Sequence, residues 1–196
     1  MKKTQKAAPR RTSDIAKRNT QPAVTERPGT WHLARTETER QLSDFEFRLE
    51  RLAQAYYRWK AACLAAVCDV PLTGDDVAVL NVVRMGDEPK RLSEIGQLLN
   101  RVDVPNLQYA TRKLVRAGLI ETEGSSSRKE TRYRTTATGR SVTEAYAALR
   151  AATLPPMLDA LDGWTAKSET AGIHLDLISS LYAQAAQAAI TRRHQP

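Results

Sequence analysis

Apolar residues between positions 42 and 66 recur at alternating intervals of three and four, with charged residues between them. The repeat consists of Leu42, Phe45, Leu49, Leu52, Tyr56, Trp59, Cys63 and Ala66. A heptad repeat of this length predicts a single long helix, here from Glu37 to Val67, with an apolar seam along one side. The seam must pack against something. The partner is either the chain's own core or a second copy, of this helix or of the C-terminal helices.

Shorter amphipathic segments follow, each bounded by residues that start or stop helices. Polar residues at the starts are good N-caps, and glycine or asparagine at the ends tolerates the left-handed conformation that stops a helix. The expected N-caps are Thr73, Ser93 and Asp103, and the expected stops are Gly86, Asn100 and Gly118. The pattern predicts three helices, the last of which, called here the reading helix, spans about residues 104–117.

Residues 119–136 change to an alternating pattern that predicts two strands joined by a turn at 125–129. In the second strand Thr131, Tyr133 and Thr135 face one way, and Arg132 and Arg134 face the other. Helical periodicity returns at Gly139. We expect Pro155 and Pro156 to break that helix, with another around residues 158–164 and a last one from Ile173 to Ile190.

Positive charge is concentrated in two places. The net charge is +8; residues 1–30 carry +6, residues 112–140 carry +5, and the remainder sums to −3. Residues 1–30 combine this charge with scattered prolines and read as a disordered basic arm. The segment "SSSRKETRYRTT" (125–136) holds four cations and one acid. Crowded cations of this kind indicate a polyanionic partner, whose phosphates would neutralise them.

The reading helix has the two faces that a helix needs in order to read DNA. One face is apolar, and the other carries amides and cations that can bind base edges or phosphates in the major groove. Asn106 and Gln108 suit bases, Arg112 suits guanine or phosphate, and Lys113 and Arg116 suit phosphate. The predicted DNA-binding residues, with those of the hairpin, are Pro105, Asn106, Gln108, Tyr109, Arg112, Lys113, Arg116, Arg128, Lys129, Arg132 and Arg134.

Other function classes find little support in the sequence. There is no glycine-rich phosphate loop, GxSxG, HExxH or CxxC motif, so we expect no enzyme and no cofactor. The three histidines lack metal-ligand spacing, and no metal site is expected. The two cysteines, Cys63 and Cys68, fit a reducing compartment and are interpreted as inert thiols, with a redox role as the alternative. No apolar run reaches the 18 residues or so of a membrane span.

The stretch "RLSEIGQLLNRVDVPNLQYATRKLVRAGLIETEGSSSRKETRYRTTATGR" resembles the DNA-binding core of MarR-family transcriptional regulators. The segment "KLVRAGLIE", a basic wing and "YRTTATGR" match the end of that family's reading helix, its wing and the start of its next helix. The likeness covers residues 42–152 well and the C-terminal helices loosely. It implies a mainly α fold with a small β-hairpin wing, an α+β winged helix-turn-helix flanked by N- and C-terminal dimerisation helices.

The expected organisation is a basic arm at 1–30, an N-terminal dimerisation helix at 31–70, the winged helix-turn-helix at 71–140 and C-terminal dimerisation helices at 141–196. The resemblance implies a bacterial, cytoplasmic homodimer that represses transcription and binds a near-palindromic DNA operator. Many family members release DNA when a small molecule or oxidant binds, which implies an effector here too. Tyr56, Tyr57 and Trp59 are candidates for lining an effector pocket, with core packing as the alternative.

Two other functions remain open at this stage. A non-specific nucleic-acid-binding protein would depend mainly on the charge of residues 1–30. A winged-helix interaction module would bind a protein instead, and DNA would be incidental.

Overall fold

A computed structural model describes residues 32–124 and 131–193 of the chain. The described residues divide into two units, with the boundary between Leu52 and Ala53. Within the described residues there are six helices and three strands. In chain order they are α1 (Glu37–Ala65), α2 (Gly74–Arg84), β1 (Lys90–Arg91), α3 (Leu92–Leu98), α4 (Val104–Arg116), β2 (Ile120–Glu123), β3 (Arg132–Thr135), α5 (Ala137–Asp159) and α6 (Trp164–Arg193). The fold is mainly helical with one small antiparallel sheet, as the sequence predicts.

Helix α1 begins at the predicted residue and ends two residues before the predicted one. At its start, the Glu39 carboxylate accepts hydrogen bonds from the backbone N–H groups of Arg35 and Thr36, at 2.6 and 2.8 Å. Apolar side chains of the first unit, Leu42 and Leu52 among them, are largely exposed in the single chain. The C-terminal part of the predicted seam differs, because Cys63 is buried in the core of the second unit.

The core of the second unit brings α2 and α4 together. Thr73 caps α2 as predicted, in a reciprocal arrangement in which Asp76 accepts from the Thr73 backbone N–H at 2.9 Å. Capping of this kind satisfies backbone donors that a helix start would otherwise leave unpaired. Behind the cap, the fully buried apolar side chains include Val77, Val79, Leu80 and Val83 of α2, Ile95 of α3, and Leu107 and Leu114 of α4.

The sheet has three strands in the order β1-β3-β2, and both pairings are antiparallel. Ile120 pairs with Thr135, and Lys90 pairs with Tyr133. The hairpin of β2 and β3 is the predicted wing. The sequence does not predict strand β1, because two residues are too few to show the alternation of a strand.

The start of α3 and the end of α5 differ from the prediction. Helix α3 begins at Leu92 with Arg91 as its N-cap, not at Ser93, because the Glu94 carboxylate accepts the Arg91 backbone N–H at 2.6 Å. Helix α5 continues through Pro155 and Pro156 to Asp159. The carbonyls that these prolines cannot bond belong to Ala151 and Ala152, which are exposed, so water can replace the lost donors.

Helix α6 is 30 residues long and contains no buried residue. Its predicted start at Ile173 is wrong by nine residues. The helices α5 and α6 are separated at residues 160–163, and the prolines do not interrupt α5. In the part of the chain that the structure describes, no helix is long and apolar enough to cross a membrane.

Candidate nucleic-acid interface

Helix α4 has two chemically different faces. Leu107, Ala110, Thr111 and Leu114 are buried against the core of the second unit. Pro105, Asn106, Tyr109, Arg112 and Arg116 are exposed, and Gln108 and Lys113 are partly exposed. The sequence predicts this division, and its physical basis is the 3.6-residue period, which places positions three or four apart on one face.

The ends of α4 are set by local backbone chemistry. Pro105 lies in the first turn, where its missing N–H costs no helical hydrogen bond. Gly118 stops the helix at φ 68°, a conformation that residues with a Cβ adopt rarely. The backbone N–H of Leu119 then donates to the Leu114 carbonyl at 3.1 Å, and the chain continues directly into β2. The wing is thus joined to the reading helix through only three residues, Ala117, Gly118 and Leu119.

Lys113 has a partner inside the protein. Its Nζ lies 2.7 Å from Oδ2 of Asp76, a carboxylate that is only 3% exposed. This ion pair ties α4 to the capped end of α2. Lys113 is therefore held by its own fold in the free protein, and a phosphate would have to compete with Asp76 for it.

The wing arginines also have partners. Arg134 donates its Nε–H to Glu121 across the β2–β3 pair at 2.8 Å. Arg132 donates from Nη1 to the Pro89 carbonyl at 3.1 Å. Both contacts fix the guanidinium groups along the wing. The predicted contacts Arg128 and Lys129 lie outside the described residues, as does the basic arm at 1–30.

Arg112 and Arg116 differ from these cations. Both are exposed on α4, and within residues 32–124 and 131–193 neither has an ion pair or side-chain hydrogen bond. Their charges are uncompensated at contact distance. They are the cations of α4 best prepared to accept a phosphate or a guanine edge.

A groove of about 460 Å³ runs beside this face, between α3 and α4. Polar and basic side chains on its wall include Arg91, Ser93, Arg101 and Gln108. Gln108 thus stands at the edge of a concave surface that the sequence did not reveal. The groove continues the polar surface of α4 toward α3.

The turn before α4 contains a pair that the sequence pattern alone did not predict. Arg101 donates from Nε and Nη2 to the two carboxylate oxygens of Asp103, at 2.8 and 2.6 Å. This hydrogen bonding raises the pKa of Arg101 and holds the pKa of Asp103 well below its usual value of 3.8. The spacing Arg-x-Asp was a signal in the sequence. The sequence predicts Asp103 as the N-cap of α4, and Asp103 holds that position, but its side chain makes no cap hydrogen bond.

Two of the three aromatic residues predicted for an effector pocket line a cavity of about 470 Å³ in the second unit. Tyr56 and Trp59 of α1 contribute to its wall together with Arg84 of α2 and Tyr146 and Arg150 of α5. Tyr57 is not among the residues lining it. The centroid of its ring lies 4.0 Å from Nζ of Lys60, a buried lysine whose pKa is lowered by burial.

Comparison with known proteins assigns the domain. The family model described as "Winged helix DNA-binding domain" matches residues 72–139. No curated protein sequence shows significant similarity to the chain.

Solved structures share the fold at low sequence identity. Reduced AbfR of Staphylococcus epidermidis, bound to DNA, is 18% identical with a TM-score of 0.62, covering 77% of this chain and 99% of its own. Sco5413, a MarR family transcriptional regulator from Streptomyces coelicolor, is 21% identical with a TM-score of 0.55, covering 74% and 96%. NMB1585, a MarR family regulator from Neisseria meningitidis, is 17% identical with a TM-score of 0.56, covering 78% and 98%. Residues 72–139 are therefore a winged helix domain, and the chain has the fold of MarR family transcriptional regulators.

Proposed function

We propose that the protein is a sequence-specific, double-stranded DNA-binding transcriptional regulator that acts as a cytoplasmic homodimer and represses the genes beside its operator. Helix α4 enters the major groove, and the wing follows the adjacent backbone or minor groove. The solved neighbours described as DNA complexes, AbfR among them, support this proposal.

One observation carries the proposal: the exposed face of α4. It combines Asn106 and Gln108, whose amides can bond base edges, with Arg112 and Arg116, whose charges have no intramolecular partner in the described part of the chain. A helix about 10–12 Å wide fits a major groove about 12 Å wide. The apolar opposite face fixes this helix rigidly to the core, as base reading requires.

The experiment is selection of bound duplexes from random DNA at physiological salt, followed by equilibrium titration. We expect a preferred, near-palindromic sequence that binds at least about 10³-fold more tightly than a scrambled duplex. Equal affinity for both would favour the non-specific nucleic-acid-binding alternative. Capture of a protein partner that survives neutralisation of the basic residues would favour the interaction module.

Arg112→Ala tests the reading face at one residue. We expect binding to the preferred duplex to weaken by about 1–3 kcal/mol if Arg112 reads a base, with a smaller effect on scrambled DNA. Arg48→Ala, at a position of α1 outside the winged helix domain, is the matched control and should leave both affinities unchanged. An equal loss on both duplexes would assign Arg112 to a phosphate.

A homodimer accounts for apolar surface that the single chain leaves uncovered. In the first unit Leu42 and Leu52 are exposed, and in α6 Ile173, Leu177 and Leu181 are exposed. Ile173, Leu177 and Leu181 recur every four residues on one side of α6, and an exposed apolar row of this kind is typical of an association site. A two-fold dimer would present two copies of α4, about 34–36 Å apart, to successive turns of the same DNA face.

The cavity beside Tyr56 and Trp59 suits an anionic aromatic effector. Its aromatic side chains offer stacking surface, and Arg84 and Arg150 offer positive charge. Arg84 is already paired with Asp87 and Glu144, so Arg150 is the better candidate to bind a carboxylate. We expect benzoate to release the preferred duplex from the wild type and benzamide to have no effect. Retention of the benzoate response in Arg150→Ala would contradict this site.

A further inference from the structure

Arg101 lies in the turn between α3 and α4, where an arginine would ordinarily be counted among the DNA contacts. Its side chain is instead directed into the protein, with 19% of its surface exposed. The bidentate pair with Asp103 uses Nε and Nη2 at 2.8 and 2.6 Å. A bidentate arginine–carboxylate geometry of this kind adds directional specificity to the strength of the ion pair.

The third guanidinium nitrogen connects the turn to α2. Nη1 of Arg101 is buried, lacks a hydrogen bond, and lies 3.5 Å from Oδ1 of Asp75. Burial raises the pKa of the Tyr57 hydroxyl of α1, and the charge of the Asp75 carboxylate adds to that rise. Arg101 therefore has acidic groups on two sides, one in the first turn of α2 and one at the start of α4.

Asp103 connects Arg101 to Asn106 on the exposed face of α4. One of its oxygens, Oδ2, accepts from Arg101 and also from Nδ2 of Asn106 at 3.1 Å. The backbone is equally fixed, because the Arg101 N–H donates to the Gly96 carbonyl at 2.8 Å. A Cβ at Gly96 would lie 3.0 Å from the Arg101 carbonyl oxygen, so there is little room for the turn to shift.

We propose that Arg101 is a positioning residue for base reading, which acts through Asp103 to orient the amide of Asn106 and makes no phosphate contact of its own. The inference rests on the proposed function. With one N–H given to Asp103, the Asn106 amide still offers its Oδ1 and its second N–H. That acceptor and donor complement the N6 and N7 groups of adenine in the major groove. The preferred half-site accordingly has an adenine opposite Asn106.

The orientation exists before DNA arrives, so binding does not have to order it. Without Arg101, the side chains of Asp103 and Asn106 can rotate. The protein then discriminates less between bases at one base pair, and its electrostatic attraction to the phosphates is unchanged. A phosphate-binding arginine would behave in the opposite way, weakening all sequences together and lowering the salt dependence.

The test titrates the full-length protein with the selected duplex and with versions in which each adenine in turn is replaced by 7-deazaadenine, which lacks the N7 acceptor. We expect one replacement to weaken wild-type binding by about tenfold. That penalty should vanish in Asn106→Ala and in Arg101→Gln, and penalties elsewhere should persist. The slope of log K against log salt should not change in Arg101→Gln.

Arg116→Gln is the matched control, because Arg116 is an exposed arginine of α4 without a partner in the described residues. We expect its salt slope to fall by about one and its base discrimination to stay intact. A similar fall in slope for Arg101→Gln, with equal losses on scrambled DNA, would overturn the inference.

A second variant distinguishes loss of the Arg101–Asp103 pair from unfolding of the Arg101→Gln protein. Asp103→Asn keeps the shape of the side chain and removes its charge, and we expect it to abolish the same 7-deazaadenine penalty. If both variants fold, as judged by circular dichroism and thermal melting, and both keep the penalty, the inference is wrong. If the wild type selects no preferred sequence, both the proposed function and this inference fail. If the wild type does select a sequence and Arg101→Gln keeps the 7-deazaadenine penalty, only this inference fails.

Discussion

At the scale of single residues, the cations of the DNA-binding region fall into two groups. Lys113, Arg132 and Arg134 are each bonded within the protein, and Arg112 and Arg116 have no such partner in the described residues. The sequence predicts the number and sign of these charges and the exposed face of the helix. It cannot predict their pairing, because Asp76 lies 37 positions from Lys113 and meets it only through the packing of α2 on α4.

Lys113→Ala should destabilise the domain as well as weaken DNA binding. The substitution leaves the buried Asp76 carboxylate without its cation, although the hydrogen bonds from Thr73 remain. We expect unfolding free energy to fall by about 1–3 kcal/mol, measured by urea denaturation. Arg116→Ala, at an exposed position, should change it by less than about 0.5 kcal/mol. Equal free energies of unfolding for the two variants would show that the Lys113–Asp76 pair contributes nothing to stability.

The Asp103 carboxylate gives the protein an acid-dependent component of stability. Hydrogen bonds from Arg101 hold the pKa of Asp103 below its ordinary value of 3.8, so the folded state favours the charged form. The resulting stabilisation is complete above pH 3.8 and is lost as the pH falls through that value toward the lower folded pKa. We expect the urea midpoint of the wild type to fall more steeply below about pH 4 than that of Asp103→Asn. Parallel curves would contradict the depressed pKa.

At the scale of elements, the helix and hairpin patterns of residues 73–135 were predictable because each has local signals: capping residues, a glycine stop and alternating strands. Strand β1 and the continuation of α5 past Pro155 and Pro156 were not. The first depends on pairing with β3, which is distant in the chain. The second depends on whether water can reach the carbonyls that the prolines leave without donors, which sequence does not reveal.

Gly139 sets the contact between α5 and the residue that precedes β2. A Cβ at this position would lie 1.8 Å from the Leu119 carbonyl oxygen. We expect Gly139→Ala to lower the free energy of unfolding by about 1–3 kcal/mol, because a backbone atom must move. Gly172→Ala in α6 is the control. Apart from the adjacent residues and the local helix backbone, no described residue has an atom within 4 Å of the point that a Cβ would occupy there, and alanine favours helix by about 0.5–1 kcal/mol. Chemical denaturation measures both, and equal effects would contradict the close approach.

At the scale of the whole molecule, the heptad repeat behaves as two parts. Trp59 and Cys63 pack on or in the core of the second unit, and Leu42 and Leu52 in the first unit stay exposed. The chain's own core therefore accounts for one part of the repeat, and the exposed part is left for the proposed second copy. Helix α6 adds a 30-residue element without a buried residue, and its exposed apolar side chains favour the same association.

Leu177→Glu should convert the proposed dimer to a monomer. Leu177 is 58% exposed, and Ile173 and Leu181 lie one turn away on the same side of α6. A charge within a buried apolar interface is strongly unfavourable, so we expect sedimentation equilibrium to give the monomer mass. Ala186→Glu, on the opposite side of the helix, is the control and should remain dimeric. A monomeric wild type, or a dimeric Leu177→Glu, would argue against α6 as the interface.

The central claim is that α4 lies in the major groove, and dimethyl sulfate protection tests it most directly, because the reagent methylates guanine at N7 on the major-groove edge. On the selected duplex, we expect two clusters of protected guanine N7 atoms about 10 base pairs apart, with protection reduced in Arg112→Ala. Guanine N7 atoms that remain fully reactive on a duplex saturated with protein would contradict it.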